Sequence, residues 1–196
     1  MHFNLTDNKA EVAKSLDEMI KKNGNKLQTG FVGTPYLLHA LSENGYAKTA
    51  YDLLFQEDYP SWLYEVNHGA TTIWEHWDGI KENGTFWSTD MNSYNHYAYG
   101  SVIDWIYSVA AGIKPDIDNA GFEKVIIEPV ADERLEWIDV TLKTKHGEIN
   151  SKWTCSDGKV KYEITTPVVA TIKIGDSVHN VEKGEYVFYE ENGVKL

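Results

Sequence analysis

With 196 residues, 42% of them hydrophobic and 24% charged, the chain has a globular composition and enough length for one large or two small domains. Its 18 basic and 30 acidic residues give a formal net charge of −12, which disfavours nucleic acid and membrane surfaces as partners but is compatible with an uncharged ligand. The sequence shows neither an apolar run of the roughly 18 residues that span a bilayer nor a signal peptide, so we expect a cytoplasmic chain if its N-terminus is complete, and otherwise leave the compartment open.

Four helices are predicted in the first part of the chain. The first begins at Asn8, whose spacing to Glu11 makes a capping-box pattern, and ends at about residue 24. The second has Thr34 as its N-cap and Pro35 at its first position, and ends before residue 44. The third is expected over about 46–55, and a short fourth helix begins at Ser61.

Residues 67–92 show no sustained period, and a loop of that length in a compact domain is usually functional or disordered. Its aromatic residues argue against disorder. From residue 93 to residue 112 the pattern predicts the longest helix, which is apolar on most faces and should be buried nearly all round.

The hydrophobic period falls from helical to two after residue 122. Six or seven strands are expected, six of them over approximately 125–129, 137–142, 149–153, 160–164, 170–174 and 186–189. They predict an antiparallel β-sandwich over 117–196, after a helical domain over 1–116. The fold class is therefore α+β and multidomain, and its four or five helices are too few to enclose a cavity by themselves.

Glu75 is the candidate for chemistry, because the indoles of Trp74 and Trp77 frame this carboxylate in the sequence. A water-poor setting would favour proton transfer by such a group, and glycoside hydrolysis uses one. The alternative is that Glu75 caps a helix or forms a salt bridge beside a tryptophan cluster. The sequence predicts no cofactor, and the single cysteine together with the absence of paired histidine motifs predicts no metal site.

Five sequence blocks together resemble the bacterial α-L-rhamnosidases of glycoside hydrolase family 78. In chain order they are 29–38 (TGFVGTPYLL), 51–54 (YDLL), 59–62 (YPSW), 69–77 (GATTIWEHW) and 93–100 (SYNHYAYG). The resemblance covers nearly the whole chain. It implies the end of an (α/α)6 barrel of six helical hairpins, followed by the C-terminal β-domain of those enzymes.

The resemblance also implies roles for particular residues. Glu75 matches the general base of an inverting hydrolysis, and His96 matches a histidine that contacts rhamnose. Trp74, Trp77 and Trp87 are candidates for the pocket walls, although each could equally belong to the core. Without the resemblance, His96 would be interpreted as a packed core residue.

One departure from the family concerns activity. The family's general acid lies in an earlier part of the barrel, and no acidic residue before Glu75 matches it. We therefore expect a fragment that is inactive alone, with a rhamnose-containing glycoside as ligand and the missing N-terminal part of the barrel, or a second copy, as partner. The alternatives are a carbohydrate-binding remnant and a purely structural or interaction remnant.

Overall fold

The computed structural model describes residues 6–191, and the chain divides between Ile103 and Asp104 into a helical unit and a β unit. The four helices predicted for the first unit are all present: α1 (Lys9–Lys22), α2 (Thr34–Ser42), α3 (Ala47–Leu54) and α4 (Trp62–Asn67). No helix within 6–191 combines the length and the apolarity that crossing a bilayer demands.

Of the four helices α1 to α4, only α4 begins at a side-chain N-cap, so the capping-box prediction for Asn8 at α1 was wrong. The hydroxyl oxygen of Ser61 accepts the backbone N–H of Tyr64 at 3.1 Å, as expected of an N-cap at the start of α4. At α2 the prediction was one residue off. Gly33 is the N-cap, and Thr34 is the first helical residue, with its hydroxyl bonded to the carbonyl of Gly30 at 2.9 Å.

The prediction of one long helix over 93–112 was wrong. The segment forms a 3-10 helix (Tyr97–Ser101), one α-helical turn, α5 (Val102–Trp105), and a π-helical turn (Ile106–Ala110). Tyr97 is 89% exposed and Ile103 is 53% exposed, so the segment is not buried all round. Residues 93–96 stay non-helical because their backbone pairs with residues 73–75 instead.

The second unit contains two four-stranded sheets in the part of the chain that is described. In chain order the strands are β1 (Ile113–Pro115), β2 (Val125–Ile127), β3 (Trp137–Thr144), β4 (Gly147–Ser156), β5 (Lys159–Thr166), β6 (Ala170–Ile174), β7 (Ser177–Val181) and β8 (Gly184–Glu191). One sheet has the order β1-β2-β6-β7 and the other β3-β4-β5-β8, and every pair is antiparallel except β2 with β6.

All six predicted strands are confirmed, whereas β1 and β7 were missed. β1 is three residues long and ends in a proline, which is typical of a linker. β7 lies at the edge of its sheet, and its Val178 is 60% exposed, so it lacks the apolar alternation of a half-buried strand. Alternation identifies a strand only when one face is covered.

The core of the β unit is centred on Trp153, which is fully buried on β4. Its indole N–H donates to the carbonyl oxygen of Ala110 at 2.8 Å, and the hydroxyl of Ser151 donates to the carbonyl of Ala111 at 2.6 Å. These bonds satisfy carbonyl groups at the end of the π-helical turn, where helical partners are lacking. They fix the chain where it enters β1.

Candidate functional site

Two irregular segments, 73–75 and 93–96, lie side by side and carry the two principal site candidates. The backbone N–H of Glu75 donates to the carbonyl of Ser93 at 2.8 Å, and the N–H of His96 donates to the carbonyl of Ile73 at 2.8 Å. These bonds join positions about 20 residues apart in sequence. The fold thus brings the Glu75 segment and the His96 segment together.

The carboxylate of Glu75 is half-buried, with 22% of its side chain exposed. Its Oε2 atom accepts the backbone N–H of Ser93 at 3.0 Å, and its Oε1 atom lies 3.9 Å from Nε2 of His76. The imidazole of His76 stacks on the indole of Trp87, with ring centroids 3.6 Å apart. The Oε2 atom of Glu75 is therefore held by a backbone N–H, while Oε1 lies near the imidazole of His76, which is stacked on Trp87.

The three candidate tryptophans occupy different environments. Trp74 is 2% exposed and packs edge-on against Tyr94, whereas Trp77 is 8% exposed and stacks on Tyr99 with centroids 3.8 Å apart. Trp87 is 41% exposed. Within the helical unit, Trp74 and Trp77 are core residues, and Trp87 is the indole whose face a ligand can reach.

His96 lines an open cavity of about 680 Å³, together with Phe31, Thr72 and Ser101. The ring of Phe31 stacks on the imidazole, with centroids 4.7 Å apart and planes 14° apart. His96 Nδ1 and Ser101 Oγ are buried and have no hydrogen-bond partner among residues 6–191. A cavity with an aromatic wall suits a ligand that has an apolar face, and the ring of His96 adds a polar group to its lining. Glu75 is not among the residues that line it.

Sequence reasoning missed Glu65, which is 2% exposed on α4. Its Oε2 atom accepts the backbone N–H of Trp74 at 3.2 Å. Burial raises the pKa of Glu65 to about 7, against the opposing effect of the Trp74 hydrogen bond. The signal available in the sequence was its position three residues after Trp62, because residues at that spacing share a helix face.

Two further histidines of the helical unit pack against aromatic rings. His68 stacks on Tyr64 with centroids 4.0 Å apart, and His76 stacks on Trp87. Over the described range 6–191, no group of three or more His, Cys, Asp or Glu side chains could hold a metal ion.

Two protein families match the chain in succession. Residues 1–110 match the bacterial alpha-L-rhamnosidase 6 hairpin glycosidase domain, and residues 112–186 match the bacterial alpha-L-rhamnosidase C-terminal domain. Among curated proteins, an alpha-L-rhamnosidase of Formosa agariphila is 39% identical over 176 residues, which are 90% of this chain and 19% of that protein. An alpha-L-rhamnosidase of Streptomyces avermitilis is 38% identical and matches 83% of this chain and 16% of its own length.

Solved structures agree with these matches. The crystal structure of the Streptomyces avermitilis α-L-rhamnosidase complexed with L-rhamnose has a TM-score of 0.84 and 32% identity, covering 91% of this chain and 19% of that one. The native α-L-rhamnosidase of Aspergillus terreus has a TM-score of 0.87 and 33% identity, covering 92% and 21%. The chain therefore spans about a fifth of the length of the relatives that it matches.

Proposed function

Because the chain belongs to the bacterial α-L-rhamnosidase family, we propose that it supplies the general base and the sugar contacts of an inverting α-L-rhamnosidase. The observation that carries this proposal is the pairing of the Glu75 segment with the His96 segment. The pairing places a half-buried carboxylate and a cavity-lining imidazole on adjacent stretches of backbone. Glycoside hydrolysis needs both a proton acceptor and a surface that holds the sugar.

In the proposed reaction, Oε1 of Glu75 takes a proton from a water molecule as that water attacks the anomeric carbon. The leaving oxygen receives its proton from a second carboxylic acid, which inverting enzymes place roughly 6.5–9.5 Å from the base. The Ser93 N–H holds Oε2 at 3.0 Å and so orients the carboxylate. A held carboxylate is favourable because a base must already point at the proton that it removes.

His96 is proposed to bind the terminal α-L-rhamnosyl residue. Imidazole nitrogen atoms can exchange hydrogen bonds with sugar hydroxyl groups, and the ring of His96 lines the cavity. The apolar ring of Phe31 beside it suits the methyl group of a deoxy sugar. Trp87 is the further candidate for a wall of the site, since its indole is accessible.

The general acid of this reaction is proposed to lie outside the chain, in an upstream part of the same barrel. Among the acidic side chains before Glu75, Asp17 is buried on α1 and paired with Lys21 at 2.8 Å, which is a structural arrangement. With one of the two carboxyl groups absent, the chain alone is expected not to turn over substrate. Exposed apolar residues on α1, Val12 and Met19, support a covering partner such as the rest of the barrel or a second copy.

A second candidate function is carbohydrate binding without catalysis. It is supported by the cavity around His96, which Phe31, Thr72 and Ser101 also line. Titration calorimetry of the chain with L-rhamnose tests this candidate, and heat of binding that Glu75→Gln leaves intact and His96→Ala removes would support it. A complete absence of heat would count against it.

The catalytic proposal is tested by combining the chain with the upstream part of the barrel and supplying an aryl α-L-rhamnoside. Glu75→Gln keeps the shape of the side chain but cannot accept the proton, so release of the aryl group should fall by about 100-fold or more. Glu148→Gln on β4 is the matched control, because its side chain is 63% exposed and pairs only loosely with Lys143 at 3.6 Å. Undiminished release by Glu75→Gln would remove Glu75 from the proposed role.

A further inference from the structure

The carboxyl group of Glu65 is the buried ionisable group that the proposed reaction does not use. It is 2% exposed, and of its two oxygen atoms only Oε2 has a hydrogen-bond partner within residues 6–191. Close to it lies the buried phenol of Tyr99, whose pKa is raised by burial, by the charge of Glu65 and by that of Tyr59. Burying a carboxyl group with one bond costs free energy. A leucine would cover the same face of α4 without this cost.

The single bond of Glu65 acts next to the proposed base. Residues 70–78 contain neither helix nor strand, so their backbone N–H groups need partners from elsewhere in the fold. The N–H of Trp74 is bound by Glu65 at 3.2 Å, and the following N–H, that of Glu75, is bound by the carbonyl of Ser93 at 2.8 Å. The backbone is therefore fixed on both sides of the Trp74 α-carbon. This determines the direction in which the Glu75 side chain leaves the chain.

Helix α4 also holds the segment that carries His96. The indole N–H of Trp62 donates to the carbonyl of Tyr99 at 2.9 Å, in the 3-10 helix that begins immediately after His96. Trp62 and Glu65 are three residues apart and thus lie on one face of the helix. One short helix therefore contacts the two segments that carry the candidate base and the candidate sugar ligand.

We propose that Glu65 is a positioning residue for Glu75: its buried carboxyl group holds the Trp74 N–H and thereby sets the orientation of the neighbouring carboxylate. The assignment rests on the proposed function only in naming Glu75 as the base. The hydrogen-bond arrangement itself exists in this chain whether or not the chain is catalytic. The positioning role can therefore be tested separately from the chemistry.

The first test uses NMR on the chain itself, with ¹⁵N in the backbone and ¹³C in the glutamate carboxyl groups. In the unmodified chain the Trp74 N–H resonance should follow the ionisation of Glu65, with a midpoint near pH 7. Glu65→Gln should abolish that inflection, and Glu65→Ala should shift the Glu75 carboxyl resonance. Leu53→Ala, a fully buried truncation on α3, is the matched control and should leave the Glu75 resonance in place.

A Glu75 resonance that is the same in Glu65→Ala as in the unmodified chain would overturn the proposal. If Glu65→Ala does not fold, Glu65→Gln decides alone: persistence of the Trp74 inflection in that variant would equally overturn it.

The second test measures turnover of an aryl α-L-rhamnoside by the chain combined with the upstream part of the barrel. Displacing the base should lower kcat in Glu65→Ala by about 100-fold while KM stays unchanged, and Glu65→Gln should restore most of the loss. Leu53→Ala should retain kcat. A rise in KM with unchanged kcat would contradict the proposal. Full activity of Glu75→Gln would instead contradict the proposed function. The effect of Glu65→Ala on the Glu75 resonance would then stand as a separate result.

Discussion

The phenyl ring of Phe31 lies on the imidazole of His96, with centroids 4.7 Å apart and planes nearly parallel at 14°. The two residues are 65 positions apart in sequence, and Phe31 belongs to the turn that precedes α2. The contact restrains the imidazole at the wall of the cavity while Nδ1 stays without a partner in the described chain. The turn before α2 is therefore part of the proposed sugar site.

Truncating Phe31 to alanine should weaken rhamnose binding by about 3- to 10-fold, because an aromatic pair contributes about 0.5–1.5 kcal/mol beyond its buried area. The unfolding free energy should fall as well, by about 0.5–1.5 kcal/mol, since the stack is present in the unliganded chain. Titration calorimetry measures the affinity. The matched control is Val32→Ala at the next position, which is 85% exposed and should bind as the unmodified chain does. Equal losses in both variants would contradict a specific role for the Phe31–His96 stack.

Removing the indole of Trp87 should impair turnover in the combined enzyme. Trp87 stacks on His76, whose Nε2 lies 3.9 Å from Oε1 of Glu75, so Trp87→Ala leaves that imidazole free to change rotamer. We expect kcat/KM for an aryl α-L-rhamnoside to fall by about 10-fold. Trp137→Ala on β3, where the indole is 59% exposed, is the control and should retain activity.

The buried carboxyl group of Glu65 should make stability depend on pH. Its pKa rises from 4.5 to about 7 on folding, so the folded state holds a proton that the unfolded state has lost. This contribution is fully present below pH 4.5 and is lost as the pH rises through 7. The loss amounts to about 3 kcal/mol, since one unit of pKa corresponds to about 1.4 kcal/mol.

Urea unfolding between pH 5 and pH 8 measures this effect as the difference between the unmodified chain and Glu65→Gln. Carboxylates with lowered pKa, such as Asp116 and Glu163, act in the opposite direction at lower pH and cancel in that difference. A difference that does not vary with pH would contradict the raised pKa of Glu65.

Gly112 is expected to tolerate no side chain. Its φ is +74°, and a Cβ atom there would lie 2.2 Å from the backbone carbonyl carbon of Glu128. Gly112→Ala should lower the unfolding free energy by more than about 3 kcal/mol, because backbone atoms cannot move aside. Gly158→Ala is the matched control: its φ is +72° with open space around the Cβ position, so only the cost of the left-handed conformation, about 1–2 kcal/mol, remains. Thermal unfolding of both variants separates the two contributions.

Several features of this protein could be predicted because they depend on neighbouring residues. Ser61 starts α4 by capping a backbone N–H only three positions away, and the two-residue period identified β6 at the bounds that the structure shows, Ala170–Ile174. The blocks of residues that resemble α-L-rhamnosidases are likewise continuous stretches, and the match of both domains confirms that prediction. The roles assigned to Glu75, His96 and the tryptophans stay predictions.

Other features were decided by the tertiary structure alone. The backbone of residues 93–96 forms hydrogen bonds with residues 73–75, about 20 positions away. Residues 93–96 are therefore not helical, although their sequence pattern is. Burial of Glu65 depends on the covering segment that contains Trp74. Its spacing from Trp62 puts it on the same helix face but does not by itself predict that a carboxylate is buried there. Local propensities determine where a segment can be helical or extended, whereas the free energy of long-range contacts determines which segments meet and which polar groups lose their water.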